Sequence, residues 1–164
     1  MRVECPEDIG WRRSSWMRQV ARHALWIGHA GDLRDPRAVL AASINAIVEL
    51  AENEPAAVLP RELVRLRFPL SDGGENPSWL LRLAATSVAA LLQAKVATLV
   101  CCSNGLNRSV CVAAAGLALA QARPFTEVFE VVAKSGPADV SPGLFSQFQD
   151  ILDDLINQLR RVDS

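Results

Sequence analysis

Apolar residues along this chain fall into short runs, each with the length and composition of a β-strand. The run from Leu25 to Gly28 ends at a glycine, and the run from Ile44 to Leu50 is rich in β-branched residues. From Val64 to Phe68 the apolar residues occupy every second position, which is typical of a strand with one buried face. Val96 to Cys101 is continuously apolar, as expected for a central parallel strand that is covered on both faces.

Longer segments in which apolar residues recur at three and four positions separate or follow these strands, and they predict helices. These segments span residues 78–94, about 109–120, 125–134 and from 141 onwards. The second of them is almost wholly apolar, so it must be buried. A shorter helix is predicted after the first strand, with Asp35 as its N-cap and Pro36 as its first residue. Strands that alternate with helices predict an α/β fold with a central, mainly parallel sheet flanked by helices.

Chain length predicts one domain. The sequence has 164 residues, of which 50% are apolar, which is enough for one compact core and too little for two. Residues 1–24 carry two tryptophans and several arginines, and we interpret them as an N-terminal extension that packs on the domain as one helix. Residues 25–164 are then the single domain.

Charge and composition exclude several classes of function. The net charge is −1 with both signs scattered along the chain, which disfavours a nucleic-acid partner. No apolar run approaches the roughly 20 residues that span a bilayer, and the first residues do not resemble a signal peptide, so no membrane partner and a cytoplasmic location are expected. The four cysteines fit neither a disulfide framework nor a zinc site, and we expect free thiols.

The segment from Cys102 to Ser109 joins the most buried strand to the most buried helix, where open α/β folds bind ligands. A loop that turns its backbone N–H groups inward, helped by Gly105 and by the following helix N-terminus, can hold an anion. The same dipoles favour a thiolate at Cys102. Arg108 can contact two phosphate oxygens with its planar fork, and the Ser109 hydroxyl can stabilise the thiolate as leaving group.

The spacing of Cys102 and Arg108 alone is a weak signal, because such pairs occur by chance and buried cysteines are usually inert. The combination of an apolar strand, Gly105, an arginine at the helix start and an adjacent hydroxyl favours a functional loop.

These residues resemble the dual-specificity phosphatase branch of the cysteine-dependent protein tyrosine phosphatase superfamily. The motif of that family is His-Cys, five residues, Arg and Ser/Thr, and the resemblance covers about residues 25–152. It implies the family's fold and a metal-independent phosphatase without cofactors. The partner would be a phosphorylated protein, cleaved at Tyr and/or Ser/Thr, or a small phosphomonoester, hydrolysed through a cysteinyl-phosphate intermediate. The phosphate-binding residues implied are Ser103, Asn104, Gly105, Leu106, Asn107 and Arg108.

The family's general acid is an aspartate some thirty residues before the nucleophile, and Asp72 has that spacing from Cys102. A turn residue exposed to solvent is the alternative interpretation of Asp72, and Glu75 is the reserve candidate for the acid. We expect Trp79, which follows this segment, to pack in the core, and a position beside the entrance of the site is the alternative. Arg65 and Arg67 lie on the polar face of their strand, where they either attract phosphate or are solvated.

Two departures from the family pattern leave other functions open. Cys101 replaces the family's histidine, which helps to fix the loop and tune the thiolate. A phosphate-recognising binding module with little turnover is therefore one alternative. The adjacent thiols Cys101 and Cys102 suggest thiol redox or sulfur-transfer chemistry as another, against the favoured interpretation of Cys101 as an ordinary buried strand residue. Asn104 and Asn107 replace lysines of the phosphoinositide-cleaving relatives, which makes a highly charged inositol phosphate a poor substrate.

Overall fold

The computed structural model of the chain describes residues 17–73 and 75–162. Its strands are β1 (Arg18–Gln19), β2 (Leu25–His29), β3 (Ala46–Ala51), β4 (Val64–Leu70) and β5 (Thr98–Cys102). Its α-helices are α1 (Arg37–Ala41), α2 (Ser78–Gln93), α3 (Arg108–Gln121), α4 (Phe125–Ala133) and α5 (Pro142–Val162), and a 3-10 helix covers Ala30–Arg34. The predicted N-terminal extension lies mostly outside the described residues. Its last part, residues 17–24, contains β1 and no helix.

The sheet has the strand order β1-β2-β5-β3-β4. Strand β5 lies at its centre, where Val100 pairs with Ile27 of β2 on one side and with Val48 of β3 on the other. The four strands from β2 to β5 are parallel, and only β1 runs antiparallel to its neighbour. The prediction of an α/β fold with a central, mainly parallel sheet is therefore confirmed.

Apolar side chains form a core on each face of the sheet. The larger core packs helices α2 to α5 against one face, and the smaller core packs residues near α1 against the other. Helix α3 is buried from Arg108 to Leu119, as its apolar sequence predicts. Because side chains alternate along a strand, Cys102 belongs to the larger core and its neighbour Cys101 to the smaller one. None of the described helices is long and apolar enough to cross a bilayer.

Two predicted positions differ in the structure. Helix α1 starts at Arg37, one residue later than predicted, and Pro36 is its N-cap without a side-chain hydrogen bond. The prediction that Trp79 packs in the core is wrong, since its side chain is 65% exposed on the first turn of α2. Leu80 is the first buried residue of the amphipathic helix α2. With the buried face of the helix starting there, the side chain of Trp79 points outwards.

Candidate active site

The loop between β5 and α3 starts at the carboxyl edge of the sheet, because β5 ends at Cys102 and α3 begins at Arg108. Gly105 lies in this loop with a φ of +71°, a conformation that favours glycine. A Cβ atom at this position would lie 2.9 Å from the carbonyl oxygen of Gly28. The loop therefore needs glycine here both for its backbone angle and for its contact with β2.

Cys102 is buried, with 3% of its surface exposed, and its Sγ lies 3.2 Å from Ser109 Oγ. This hydroxyl can donate a hydrogen bond to a thiolate, and the N-terminus of α3 adds a positive dipole end beside the sulfur. Cys102 also lines a cavity of about 300 Å³. The predicted nucleophile is thus buried in the protein but accessible from this cavity.

Arg108 fixes the far end of the loop and is itself buried, with only 3% of its side chain exposed. Its Nη1 donates to the carbonyl oxygen of Leu70 at 2.9 Å and to Asn53 Oδ1 at 3.1 Å, and its Nη2 donates to Ser103 Oγ at 3.0 Å. Its Nε is buried without a hydrogen-bond acceptor among the described residues, although Asp72 Oδ1 forms an ion pair with it at 3.2 Å. A buried donor without an acceptor is available to a bound anion.

Asp72 lies against this loop from the other side of the cavity. Its side chain is 64% exposed, and Asn107 Nδ2 donates to its backbone carbonyl at 2.8 Å and to its Oδ1 at 3.1 Å. Asp72 and Cys102 line the same cavity, whereas the reserve candidate Glu75 does not line it. The structure therefore brings Asp72 and Cys102 to the lining of one cavity.

The remaining loop residues have different surroundings. Asn104 and Leu106 line the cavity, and Ser103 Oγ bonds to both Asn53 and Arg108. The side chain of Asn107, predicted as a phosphate ligand, instead links two neighbouring loops, since it donates to Asp72 and accepts a hydrogen bond from the Ser141 N–H at 3.0 Å. Asn107 also lines the cavity.

Two asparagines of this site were not singled out in the sequence. Asn53 follows the carboxyl end of β3, and its Oδ1 accepts hydrogen bonds from both Arg108 and Ser103. Asn76 is buried, and it forms hydrogen bonds to both the N–H and the carbonyl of Ser71, at 2.8 and 3.1 Å. The position of Asn53 just beyond a predicted parallel strand could have identified it as a candidate site residue. Asn76 was recognisable only as a turn residue.

The two arginines of β4 take no part in this cavity. Arg65 forms an ion pair with the buried Glu49 of β3, and Arg67 donates to the carbonyl oxygens of Ala51 and Glu54. Each arginine therefore joins neighbouring strands and loops of the sheet. Among the described residues that line the cavity, only Arg108 has a positively charged side chain.

Cys101 is an unreactive neighbour of Cys102. Burial, and after it the charge of Glu49, raises the pKa of the Cys101 thiol well above its ordinary value, so this thiol stays protonated at neutral pH. Its S–H donates to the carbonyl oxygen of Val48 at 3.7 Å, within the smaller core. Because the side chains of Cys101 and Cys102 belong to opposite faces of the sheet, this arrangement does not support a disulfide between them.

Comparisons with known proteins support the family that the loop suggests. No protein-family model and no curated protein matches the sequence. The fold is similar to a mouse dual specificity phosphatase complexed with zinc tungstate, with a TM-score of 0.80 and 24% identity over 94% of this chain and 97% of that one. It is also similar to human DUSP28, with a TM-score of 0.75 and 26% identity over 85% of this chain and 94% of that one. A third similar structure is the human tyrosine phosphatase-like serine/threonine/tyrosine-interacting protein, with a TM-score of 0.71 and 16% identity over 87% and 97% of the two chains. The chain therefore has the fold of the dual-specificity phosphatases, a branch of the protein tyrosine phosphatase superfamily.

Proposed function

We propose that this protein is a phosphomonoester hydrolase that acts through a cysteinyl-phosphate intermediate. One observation carries the proposal: Cys102 and Arg108, at the two ends of one loop, and Asp72, thirty residues before Cys102, line a single cavity of about 300 Å³. These side chains can supply a nucleophile, a cation for the phosphoryl oxygens and a proton donor, which are the three groups that this reaction needs.

In the first step, the Cys102 thiolate attacks the phosphorus atom, and the bond to the ester oxygen breaks. Arg108 and the backbone N–H groups of the loop hold the phosphoryl oxygens, so that the buried Nε of Arg108 gains an acceptor in the complex. Asp72 in its acid form gives its proton to the leaving oxygen, which departs as an alcohol or phenol. The products of this step are the free hydroxyl compound, S-phosphocysteine and the Asp72 carboxylate.

In the second step, the Asp72 carboxylate takes a proton from water, and the resulting hydroxide attacks the phosphorus of the phosphocysteine. The sulfur leaves as a thiolate, and Ser109 Oγ, 3.2 Å from it, donates a hydrogen bond to the developing charge. Inorganic phosphate is released, and Asp72 is again protonated. The cycle consumes one water and needs no redox partner.

The lining of the cavity favours substrates with a single phosphate. Arg108 is the cation among the described lining residues, and Asp72 and Asp139 contribute carboxylates. Asn104 and Asn107 stand where the phosphoinositide-cleaving relatives carry lysine, so several phosphates of an inositol ring would lack cationic partners here. We therefore propose phosphorylated Tyr, Ser or Thr in proteins, or a small phosphomonoester, as the substrate.

The test is hydrolysis of an aryl phosphate in the presence of a chelator, with the wild type and Cys102→Ser measured side by side. We expect turnover that vanadate inhibits and that falls at least about a thousandfold in Cys102→Ser, because the serine hydroxyl is not ionised at neutral pH. Cys111→Ala, which removes a buried thiol of α3 outside the cavity, is the matched control and should retain activity. Unchanged turnover in Cys102→Ser would refute the proposal.

The substitution at Cys101 favours one second candidate, a phosphate-recognising module with little turnover. The family's histidine is absent, and in the structure the carboxylate of Asp72 occupies the Nε side of Arg108 that a phosphate would use. One neighbour of the same fold is described by its name as phosphatase-like and interacting, not as a phosphatase. Tight binding of a phosphopeptide by the wild type, with no measurable release of phosphate, would favour this candidate over the enzyme.

A further inference from the structure

Arg18 reaches the loop from Cys102 to Ser109, which we call the phosphate loop, from a part of the chain that has no role in the proposed chemistry. It lies in the edge strand β1, and its Nη2 donates to the carbonyl oxygen of Gly105 at 3.2 Å and to that of Pro137 at 2.8 Å. Its Nε also donates to Ser135 Oγ at 3.4 Å. One guanidinium therefore joins β1, the phosphate loop and the connection between α4 and α5.

The Arg18 side chain packs closely on Gly136. A Cβ atom at Gly136 would lie 2.2 Å from Cδ and 2.4 Å from Nε of Arg18, so a side chain at position 136 would displace the arginine. Gly105 in turn packs on the backbone of Gly28. The outer side of the phosphate loop is thus held between β2 and Arg18.

The hydrogen bond to Gly105 has a consequence for the inner side of the loop. In a trans peptide unit the C=O and the N–H point in opposite directions. Because the Gly105 carbonyl points at Arg18, the N–H of Leu106, which belongs to the same peptide unit, points away from Arg18. Leu106 lines the cavity with Cys102. Arg18 thereby orients a donor that an anion in this cavity can use.

Arg18 also lies within electrostatic reach of the nucleophile. Burial lowers the pKa of Arg18, and the charge of Cys102 acts on this pKa in the opposite direction. An arginine nevertheless stays protonated at any pH at which the protein is folded. Its positive charge therefore stabilises negative charge that develops at the Cys102 sulfur or on an anion beside it.

Resting on the proposed function, we infer that Arg18 is a positioning residue for the phosphate loop: it holds the Gly105 carbonyl outwards and provides a cation near Cys102. The resemblance implies that a histidine before the nucleophile helps to fix the loop and tune the thiolate. In this chain Arg18 has that role. Cys101 cannot have it, because its side chain lies in the smaller core and forms a hydrogen bond to the carbonyl oxygen of Val48. Phosphate affinity and thiolate formation would then depend on a residue of β1.

The experiment compares Arg18→Ala and Arg18→Lys with the wild type, and Arg22→Ala serves as the matched control. Arg22 is an exposed arginine four residues further along the chain, so its removal changes the net charge equally without touching the loop. The first readout is the pH dependence of Cys102 alkylation by iodoacetamide, followed by peptide mass spectrometry. The second is the concentration of inorganic phosphate that halves the alkylation rate.

In Arg18→Ala we expect the midpoint of the alkylation profile to rise by about one pH unit and the half-protecting phosphate concentration to rise about tenfold. Lysine keeps the positive charge but lacks the planar guanidinium with its several donors. Arg18→Lys should therefore restore the midpoint of the alkylation profile more than the affinity for phosphate. Gly136→Ala, which displaces Arg18 without removing it, should resemble Arg18→Ala. Arg22→Ala should match the wild type in both measurements.

Both readouts are independent of turnover, so the two proposals can fail separately. Shifts of the expected size in a protein that never hydrolyses aryl phosphates would support the role of Arg18 and refute the enzyme. An active wild type whose alkylation profile and phosphate protection are the same in Arg18→Ala would refute the role of Arg18. If Arg18→Ala does not fold, unchanged profiles in Arg18→Lys and Gly136→Ala would refute it instead.

Discussion

Asp72 contacts two groups of the phosphate loop in the absence of substrate, namely the side-chain amide of Asn107 and the guanidinium of Arg108. A phosphate that binds to Arg108 must displace the second contact. The carboxyl group would then be left beside the ester oxygen, at the mouth of the cavity that it lines. The ion pair with Arg108 and the proposed role as acid therefore belong to successive states of one residue.

Asp72→Asn tests the role as acid, because an amide cannot give a proton to a leaving group. We expect kcat to fall by about 10²-fold or more for alkyl phosphates and by less than about tenfold for p-nitrophenyl phosphate, whose phenolate leaves without help. Glu75→Gln removes a carboxylate from the same loop outside the cavity and should change neither rate. An equal loss for good and poor leaving groups would exclude Asp72 as the acid.

At the residue scale, the sequence allowed the prediction of those side chains whose chemistry and spacing are both distinctive. Cys102, Arg108 and Asp72 were predicted, and the structure brings them to one cavity. Arg18, Asn53 and Asn76 were not, because an arginine or asparagine gains its partners only when distant segments meet. The hydrogen bond from Arg18 to Gly105 joins residues 87 positions apart, and no local pattern encodes such a contact.

At the scale of elements, helix α3 depends on a close approach of α2. A Cβ atom at Gly116 in α3 would lie 2.3 Å from Cγ1 of Val88 and 3.3 Å from the carbonyl oxygen of Ala85. Rotation of the Val88 side chain could move Cγ1 but not the Val88 Cβ, which would lie 2.5 Å away, so helix α2 would have to shift as a whole. The absence of a side chain at Gly116 thus sets the distance between the helix that begins at Arg108 and its neighbour.

Gly116→Ala should therefore lower the free energy of unfolding by about 1–3 kcal/mol, since overpacking outweighs the better helix propensity of alanine. The same substitution at Gly143, an exposed position near the start of α5, should have the opposite sign and stabilise the protein by up to about 1 kcal/mol. Urea denaturation of both variants measures the two effects. A stabilised Gly116→Ala would show that α2 and α3 are packed less closely than these distances require.

Element types were predictable here because the periods of two and of three to four residues are clear in β4 and in α2. Boundaries were less accurate, since they depend on tertiary hydrogen bonds. Strand β5 was expected to start at Val96, but it starts at Thr98, where the ladder to β2 and β3 begins. The short strand β1 was missed, because two residues carry no period and only pairing with β2 defines them.

At the scale of the molecule, the sheet separates two cores that differ in size. The larger core surrounds Cys102 and the buried helix α3, and the smaller one holds Cys101. The order of strands could not be read from periodicity, because any parallel arrangement satisfies the same alternation of strands and helices. The family resemblance, which rests on the loop from Cys102 to Ser109, implied the arrangement instead.

Two thiols that are buried in these cores connect the stability of the whole molecule to pH. Burial is the main cause that raises the pKa of Cys101 and of Cys111, and for Cys111 the charge of Cys102 adds to it. In the unfolded chain both thiols would ionise near their ordinary pKa of about 8.5. Below that pH both states hold the protons, and above it the unfolded chain loses protons that the folded chain keeps.

The free energy of unfolding should therefore fall as pH rises above about 9, by about 1.4 kcal/mol per pH unit for each of the two thiols. Urea denaturation of the reduced protein at pH values from about 8 to 10 measures this slope. Cys111→Ala should make the slope shallower by about 1.4 kcal/mol per pH unit, even though the lost packing also lowers stability at every pH. Lysines and arginines are the same in both proteins, so their titration cancels in the comparison. Identical slopes for the wild type and Cys111→Ala would mean that the Cys111 thiol titrates in the folded protein as it does in the unfolded chain, contrary to its burial in α3.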